Sequence, residues 1–402
     1  MSVIRDLTLK IEKYLFEDEI LLIVGARQVG KTTVLHQIKD KLCAQEQNCF
    51  FLNLEDTEFL SLLNKSPKNI FKIFPFDLAK KYFLFIDEIQ YLDNPSNFLK
   101  YIYDEYKSKI KIIASGSSAF YIDRKFKDSL SGRKRIFYLY SLSFREFLRF
   151  KNENELTQRD FTNVTISEKE KIILYYQEYL VYGGYPRVVL TLQSDKPEIL
   201  RDIAYSYIKK DVYEANIRQN DIFYKVFKIL AEQTGNLVNS LEIASTLGVS
   251  KTAIDNYLYV MQKSFHIALI RPFFKNTRKE LTKMPKIYFM DLGLRNFFKS
   301  DFNLYTSRND KGALLENGVF RQLLEKHYKE DIRFWRTLQK KEVDFIVDEK
   351  FAMEVKSQVK NVKIKEYVPF INNYPYIKFN FVSFDNEYNN VSNYSVKEVW
   401  EI

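Results

Sequence analysis

The stretch that most narrows the possible folds is Gly25-Ala26-Arg27-Gln28-Val29-Gly30-Lys31-Thr32, a G-x-x-x-x-G-K-[ST] loop directly behind the apolar run Ile20–Val24. Such a loop works between a buried strand and a helix N-terminus. Its glycines let successive backbone N–H groups turn inward around phosphate oxygens, and the helix dipole favours the anion. A helical stretch over Lys31–Ala44 is expected to supply that N-terminus. Lys31 is expected to reach the β- and γ-phosphates of a nucleoside triphosphate and Thr32 to ligate Mg2+. Gly25, Ala26, Arg27, Gln28, Val29, Gly30 and Thr33 complete the expected nucleotide-binding set. ATP and Mg2+ are the expected cofactors.

The rest of this site is written in strand ends. Short apolar runs at 49–54, 82–86, 110–114 and 135–140, separated by helical intervals, predict a parallel sheet with helices on both faces. The run Phe83-Leu84-Phe85-Ile86 ends in Asp87-Glu88. Asp87 at the tip of a buried strand is placed to hold the Mg2+, and Glu88 to orient or deprotonate an attacking water. The run at 110–114 ends in Ser115-Gly116-Ser117-Ser118, from which Ser115 or Ser117 can sense a γ-phosphate. Arg133, in Ser131-Gly132-Arg133, is a candidate for stabilising transition-state charge, in its own chain or across a subunit contact.

From 144 to 231 the apolar spacing turns helical, and 236–270 carries a helix-turn-helix pattern with Gly248 in the turn and Ser250 as the cap of a second helix, Lys251–Lys263. A basic stretch follows at the place of a β-wing: Arg271, Lys275, Arg278, Lys279, Lys283 and Lys286, opposed only by Glu280. A wing of this composition can grip duplex phosphates, and winged helices also serve as protein contacts. Tyr182-Gly183-Gly184-Tyr185-Pro186 reads as a tight turn allowing close backbone packing, and His266 as a core residue.

The last block returns to strands, at 332–335, 343–347 and 351–355, after a helix around 313–328. Glu354 and Lys356 alternate on one strand and so share a face, and a hairpin would put Asp344 beside Glu354. Two carboxylates and a lysine in this arrangement suit Mg2+ binding and water activation for phosphodiester attack, with Glu316 as a further ligand. A solvated, salt-bridged strand face has the same pattern.

Composition sets outer limits. The 402 residues allow two or three domains. Only Cys43 and Cys49 are present, with His36, His266 and His327 scattered, which leaves no disulfide framework or Cys/His metal site and fits a cytoplasmic location. No apolar run approaches the roughly 20 residues that span a bilayer, and the N-terminus has no secretory signal core, so no membrane partner is expected. Lys and Arg exceed Asp and Glu by 62 to 52, an excess compatible with nucleic-acid contact and equally with a codon-biased composition.

The motifs GARQVGKT, IDEIQ, ASGSS, LSGR and LSFREFL, continued by YGGYPRVV, KNTRKELTKMPKIYFMDLGL, LLENGVF, FWRT, EVDFIV and EVKS, make the chain resemble the prokaryotic AAA-family ATPases with a C-terminal DUF4143 domain. The resemblance implies an α/β protein: an N-terminal P-loop AAA-type parallel sheet, a helical and winged-helix middle, and a C-terminal α/β restriction-endonuclease-like domain. Asp344, Glu354 and Lys356 resemble the PD-(D/E)XK nuclease pattern, with Val343 where that pattern has proline. The expected division is 1–150 ATPase domain, 151–235 helical linker or lid, 236–286 winged-helix-like domain and 287–402 endonuclease-like domain. ATP is the expected ligand, with DNA and a second copy of the chain as candidate partners. The function this reading points to is an ATPase coupled to a DNA-binding, metal-dependent nuclease region; the alternative is a nucleotide-gated switch that binds a protein partner without cutting.

Overall fold

In a computed structural model, described for residues 3–117, 130–214, 217, 219–274, 280, 283–360, 362–385, 390–391 and 393–402, the chain divides into two compact units. One comprises Met1–Tyr140 with Lys263–Phe265, the other Ser141–Gln262 with His266–Ile402. Of the expected functional residues, Ser118, Lys275, Arg278 and Lys279 lie outside the described residues.

The first unit is built on five parallel strands: β1 (Ile20–Val24), β2 (Asn48–Asn53), β3 (Tyr82–Asp87), β4 (Ile110–Gly116) and β5 (Lys134–Tyr138), in the spatial order β2-β3-β4-β1-β5. Every residue of β1, β3 and β4 is buried, so both faces of the sheet are covered, as the unbroken apolar runs require. On one face Leu22, Leu84 and Ile112 pack with Leu63 of helix Thr57–Lys65 and with Phe98, Leu99 and Ile102 of helix Pro95–Tyr106. Helix α1 (Asp6–Glu12) and helix α2 (Lys31–Ala44) also belong to this unit, and α2 buries Val34, Leu35, Ile38 and Leu42. This is the α/β sheet expected from the strand spacing.

The second unit begins with helices, among them Phe144–Phe150, Ile166–Tyr182 and Asn220–Glu232. The first two start at capping boxes closed by Ser143 with Glu146 and by Thr165 with Glu168. The helix-turn-helix follows as Ser240–Leu247 and Lys251–Lys263, with Gly248 at φ 67° between them and Ser250 Oγ accepting from Ala253 N. Its hairpin is the antiparallel pair β6 (Ile267–Ile270) and β7 (Lys286–Phe289). The expected boundary at 286 therefore falls at the first residue of β7. Gly183 and Gly184 fulfil the packing expected of them: a Cβ on Gly183 would fall 2.3 Å from Asp291 Oδ1, and one on Gly184 2.4 Å from Leu142 O.

A six-stranded mixed sheet ends the chain: β8 (Ile332–Arg336), β9 (Glu342–Val347), β10 (Phe351–Gln358), β11 (Lys378–Asp385), β12 (Asn390–Val391) and β13 (Tyr394–Glu398), in the order β12-β13-β11-β10-β9-β8. β8, β9 and β10 are antiparallel neighbours, whereas β10, β11 and β13 run parallel. The segment leaving β6 adds to the β8 edge, with Phe273 N donating to Phe334 O and Phe334 N to Arg271 O. Helix α3 (Lys311–Lys326) carries Asn317, which is fully buried and grips β7 at both polar groups of one residue: Phe289 N donates to its Oδ1 and its Nδ2 donates to Phe289 O, each at 2.8 Å. Ahead of α3, Asp310 takes Arg295 at 2.6 Å and Arg308 at 2.8 Å. Burial alone would raise the Asp310 carboxyl; the two guanidiniums hold it down at about 2.

No helix among the described residues is long and apolar enough to cross a membrane. Asn317→Leu should strand the two Phe289 groups and cost about 2–4 kcal/mol. Urea unfolding followed by fluorescence tests this, and an unchanged midpoint would refute the grip.

Candidate functional site

The strand order places the site. β4 lies between β1 and β3, with Ile23 opposite Ser115, Val24 opposite Gly116 and Ile86 opposite Ala114. The phosphate-type loop after β1, the serine at the tip of β4 and the acid at the tip of β3 therefore emerge side by side at one sheet edge. Gly25 is required by packing: a Cβ there would fall 2.0 Å from the Leu139 carbonyl oxygen. Gly30 is required by conformation, because it caps α2 at φ 99°.

Side chains then join the tips. Lys31 is buried, and its Nζ donates to Ala26 O at 2.8 Å and Gly25 O at 3.1 Å. Thr32 Oγ1 donates to Asp87 Oδ2 at 2.6 Å, while Ser115 Oγ donates to Asp87 Oδ1. A hydroxyl and a carboxylate held together are hard oxygen donors suited to Mg2+. Ala26 and Val29 are buried, Arg27 is half-buried, and Gln28 and Thr33 are exposed beside them.

Glu88 sits in the left-handed region at φ 57°, a conformation costing a residue with a Cβ roughly 1 kcal/mol or more. Two neighbours hold it there. Its N–H donates to Ser115 Oγ at 3.2 Å, and its carboxylate accepts from Gln90 Nε2. Gln90 is buried and also bonds Ser117, through Nε2 to Ser117 Oγ at 2.8 Å and from Ser117 N to Oε1 at 3.3 Å. Of the two serines, Ser115 contacts Asp87 and Ser117 contacts Gln90.

Arg133 is not brought to this edge. Strand β5 runs parallel to β1 with Lys134 opposite Ile20, so Arg133 precedes the strand at the other end of the sheet, roughly 15 Å from the loop by strand rise. There Arg133 Nε donates to Asp104 at 2.8 Å. The in-chain role expected of it is corrected: the parallel register, invisible in the local motif, points it away. An arginine does meet the loop from another direction. Arg5, 3% exposed, donates from Nη1 to Val29 O at 2.5 Å and from Nη2 to Tyr140 O at 2.9 Å.

The C-terminal set comes together differently from the expectation. Asp344 and Glu354 do lie side by side on β9 and β10: Asp344 N donates to Glu354 Oε2 at 3.3 Å, and Val355 N to Asp344 Oδ2 at 3.0 Å. Lys356 Nζ reaches Glu354 Oε1 at 2.6 Å, and Tyr367 OH donates to the same oxygen at 3.1 Å. Glu316 joins Asp344 through Lys286, whose fully buried ammonium lies 2.9 Å from Glu316, 2.5 Å from Glu342 and 3.3 Å from Asp344. Tyr288 OH donates to Glu316 at 2.5 Å. Among the described residues no group of three or more carboxylate, His or Cys side chains is arranged to share a metal ion. Lys286, expected as a DNA-contacting base of the wing, is thereby corrected to an interior ion-pair partner; Arg271 and Lys283 stay exposed, and Glu280 pairs with Arg333.

Burial, and then the Asp344 charge, push the Glu354 carboxyl up from 4.5 to about 8 and Glu316 up to about 7.

The family described as AAA domain matches residues 17–148, a domain of unknown function (DUF8612) matches 173–304, and a domain of unknown function (DUF4143) matches 311–400. An uncharacterized protein of Methanocaldococcus jannaschii is 30% identical over 351 residues, covering 85% of this chain and 74% of the relative. The chain belongs to the prokaryotic AAA–DUF4143 family. An uncharacterized protein of Haemophilus influenzae is likewise 30% identical over 342 residues, covering 82% of this chain and 79% of its own. Among solved structures, the Aeropyrum pernix ORC2 protein in its ADP form has a TM-score of 0.37 at 12% identity, covering 75% of this chain and 95% of that one. AMPPCP-bound DnaA from Aquifex aeolicus has a TM-score of 0.29 at 14% identity, covering 65% and 89%. Likenesses at these scores are too distant to bear on function.

A carboxyl raised in the fold holds its proton more tightly there than in the unfolded chain. The stability it contributes is complete below pH 4.5 and, for Glu354, lost as the pH rises through about 8. The urea midpoint of the second unit should therefore fall across that window, and Glu354→Gln should flatten the fall; equal slopes in both proteins would refute it.

Proposed function

We propose that the first unit binds ATP with Mg2+ and hydrolyses it, and that nucleotide state governs what the second unit binds. The observation carrying this reading is the meeting of Lys31, Thr32 and Asp87 at one sheet edge, with Thr32 and Asp87 bonded at 2.6 Å. In this reading Lys31 leaves the loop carbonyls for the β- and γ-phosphates, and the backbone N–H groups from Gly25 to Thr33 surround them. Thr32 and Asp87 hold the Mg2+, which when bound offsets the phosphate charge. Glu88 aligns or deprotonates the attacking water. Ser115 keeps Asp87 in place, and Gln90 links Glu88 to Ser117, so that a displacement at the β4 tip reaches the water-activating carboxylate. Gln90 and Arg5 are positioning residues here; Arg5 fixes the loop through Val29.

For the second unit the reading adopted is the switch that contacts a partner without cleaving nucleic acid. Two observations favour it. The oxygens of Asp344 and Glu354 are already engaged by backbone N–H groups, lysines and Tyr367. The bases available for duplex contact are also fewer than the sequence suggests: Lys286 is interior, and Lys251 of the recognition helix pairs with Asp255 at 2.6 Å.

Lys31→Ala should abolish nucleotide binding, whereas Glu88→Gln should bind ATP normally and turn it over about 100-fold or more slower. Equal turnover in wild type and both variants would sink the reading. Arg5→Ala should weaken binding of a fluorescent ATP analogue about tenfold, the worth of one charge-assisted hydrogen bond; unchanged affinity would remove Arg5 from the loop's support.

A further inference from the structure

Lys286 occupies a place in the fold where a lysine is costly. It is fully buried on β7, between the apolar residues Pro285 and Ile287, and strand alternation sends it to the same side as Tyr288. An ammonium loses several kcal/mol of hydration on burial unless opposite charge surrounds it. Here three carboxylates do, from two elements: Glu316 on α3, and Glu342 and Asp344 on β9, at 2.9, 2.5 and 3.3 Å. Tyr288 OH adds a bond to Glu316, and Asn317, one residue on, clamps Phe289 of β7 to α3. The position of Nζ is thus overdetermined by β7, α3 and β9 together. Oxygens of three acids converge on one point, and that point is filled by a side chain of the chain itself.

We propose that Lys286 is the resident cation of the Glu316–Glu342–Asp344 set, closing it to divalent metal and locking the hairpin of the helix-turn-helix module onto the C-terminal sheet. This rests on the non-cleaving reading of the second unit. It goes beyond that reading by naming the residue that keeps the set closed and the ligand class, an oxygen-seeking divalent cation, that the acids take once it is gone. Two effects would then favour such a cation. Removing the ammonium leaves Glu316 and Asp344 short of a cation, while Glu342 keeps Arg336 at 2.8 Å, and hard divalent ions draw carboxylate oxygens in to about 2.0–2.6 Å, closer than Glu316 and Asp344 stand to the ammonium.

The test is Mn2+ titration of the full chain, free of nucleotide, read by the electron paramagnetic resonance of free Mn2+. Wild type, Lys286→Ala, Lys286→Met, and each with Asp344→Asn added are compared, so that only Asp344-dependent binding is scored and any Mn2+ at Thr32 and Asp87 cancels. Wild type should show no Asp344-dependent site. Both Lys286 variants should gain one, at least about tenfold tighter than their Asp344→Asn counterparts. Lys286→Arg, which keeps the charge, should gain none. Asp344-dependent Mn2+ binding by wild type overturns the proposal, as does the absence of a gain in a variant that circular dichroism shows to be folded. If both variants fail to fold, Asp344-dependent Mn2+ binding by wild type still overturns the proposal, and Lys286→Gln, closer in size, replaces them for the gain. Plasmid and single-stranded DNA incubated with wild type and Mn2+ separate the two claims. Cutting that Asp344→Asn removes defeats the non-cleaving reading, whereas intact DNA with no gained site defeats the assignment of Lys286 alone.

Discussion

Everything at the nucleotide-type edge depends on Asp87 being bonded from two sides. Its carboxylate takes Thr32 from the start of α2 and Ser115 from the tip of β4, so three pieces of chain distant in sequence share one acid. The interposition of β4 between β1 and β3 makes this possible. Without that strand order the loop and the acid would be adjacent, and no third tip would stand between them to contact both Asp87 and the backbone of Glu88.

The second unit carries a set of interior charges. Lys286, Arg295 and Arg308 are all buried and each meets an acid. Such pairs add little net stability over apolar replacements, but breaking one partner costs about 3–5 kcal/mol, so they discriminate strongly between correct and incorrect docking of elements. The acids that meet Lys286 come from segments 30 and more residues away and fix tertiary arrangement, whereas Arg308 meets Asp310 two residues on and so also shapes the local turn ahead of α3.

What the sequence made legible was chemistry carried by contiguous residues. The loop Gly25–Thr32 and the strand end Asp87-Glu88 each fit within eight residues, and the fold places them as their spacing implies. The hairpin joining Asp344 to Glu354 was legible for the same reason, since β9 and β10 are consecutive. Arg133 was misplaced because strand direction, not proximity to a glycine, decides which sheet edge a residue occupies. Lys286 was read with its basic neighbours, although the alternation of Lys286 and Tyr288 among apolar residues is the signature of one polar face inside a core. Arg5 could not be found at all: it precedes the loop by some twenty residues, and only tertiary packing returns it to Val29. The strands β11 and β13 also fell outside the sequence reading, which ends its strands at 355.

Arg5 has a mechanical consequence. One guanidinium grips the peptide of Val29, inside the loop, and the peptide of Tyr140, the last residue of the first unit before the chain continues. A rigid planar group bonded at both ends behaves as a strut. The outgoing chain is thereby tied to the loop at Val29 as well as to the end of β1, where Leu139 N donates to Val24 O at 2.8 Å.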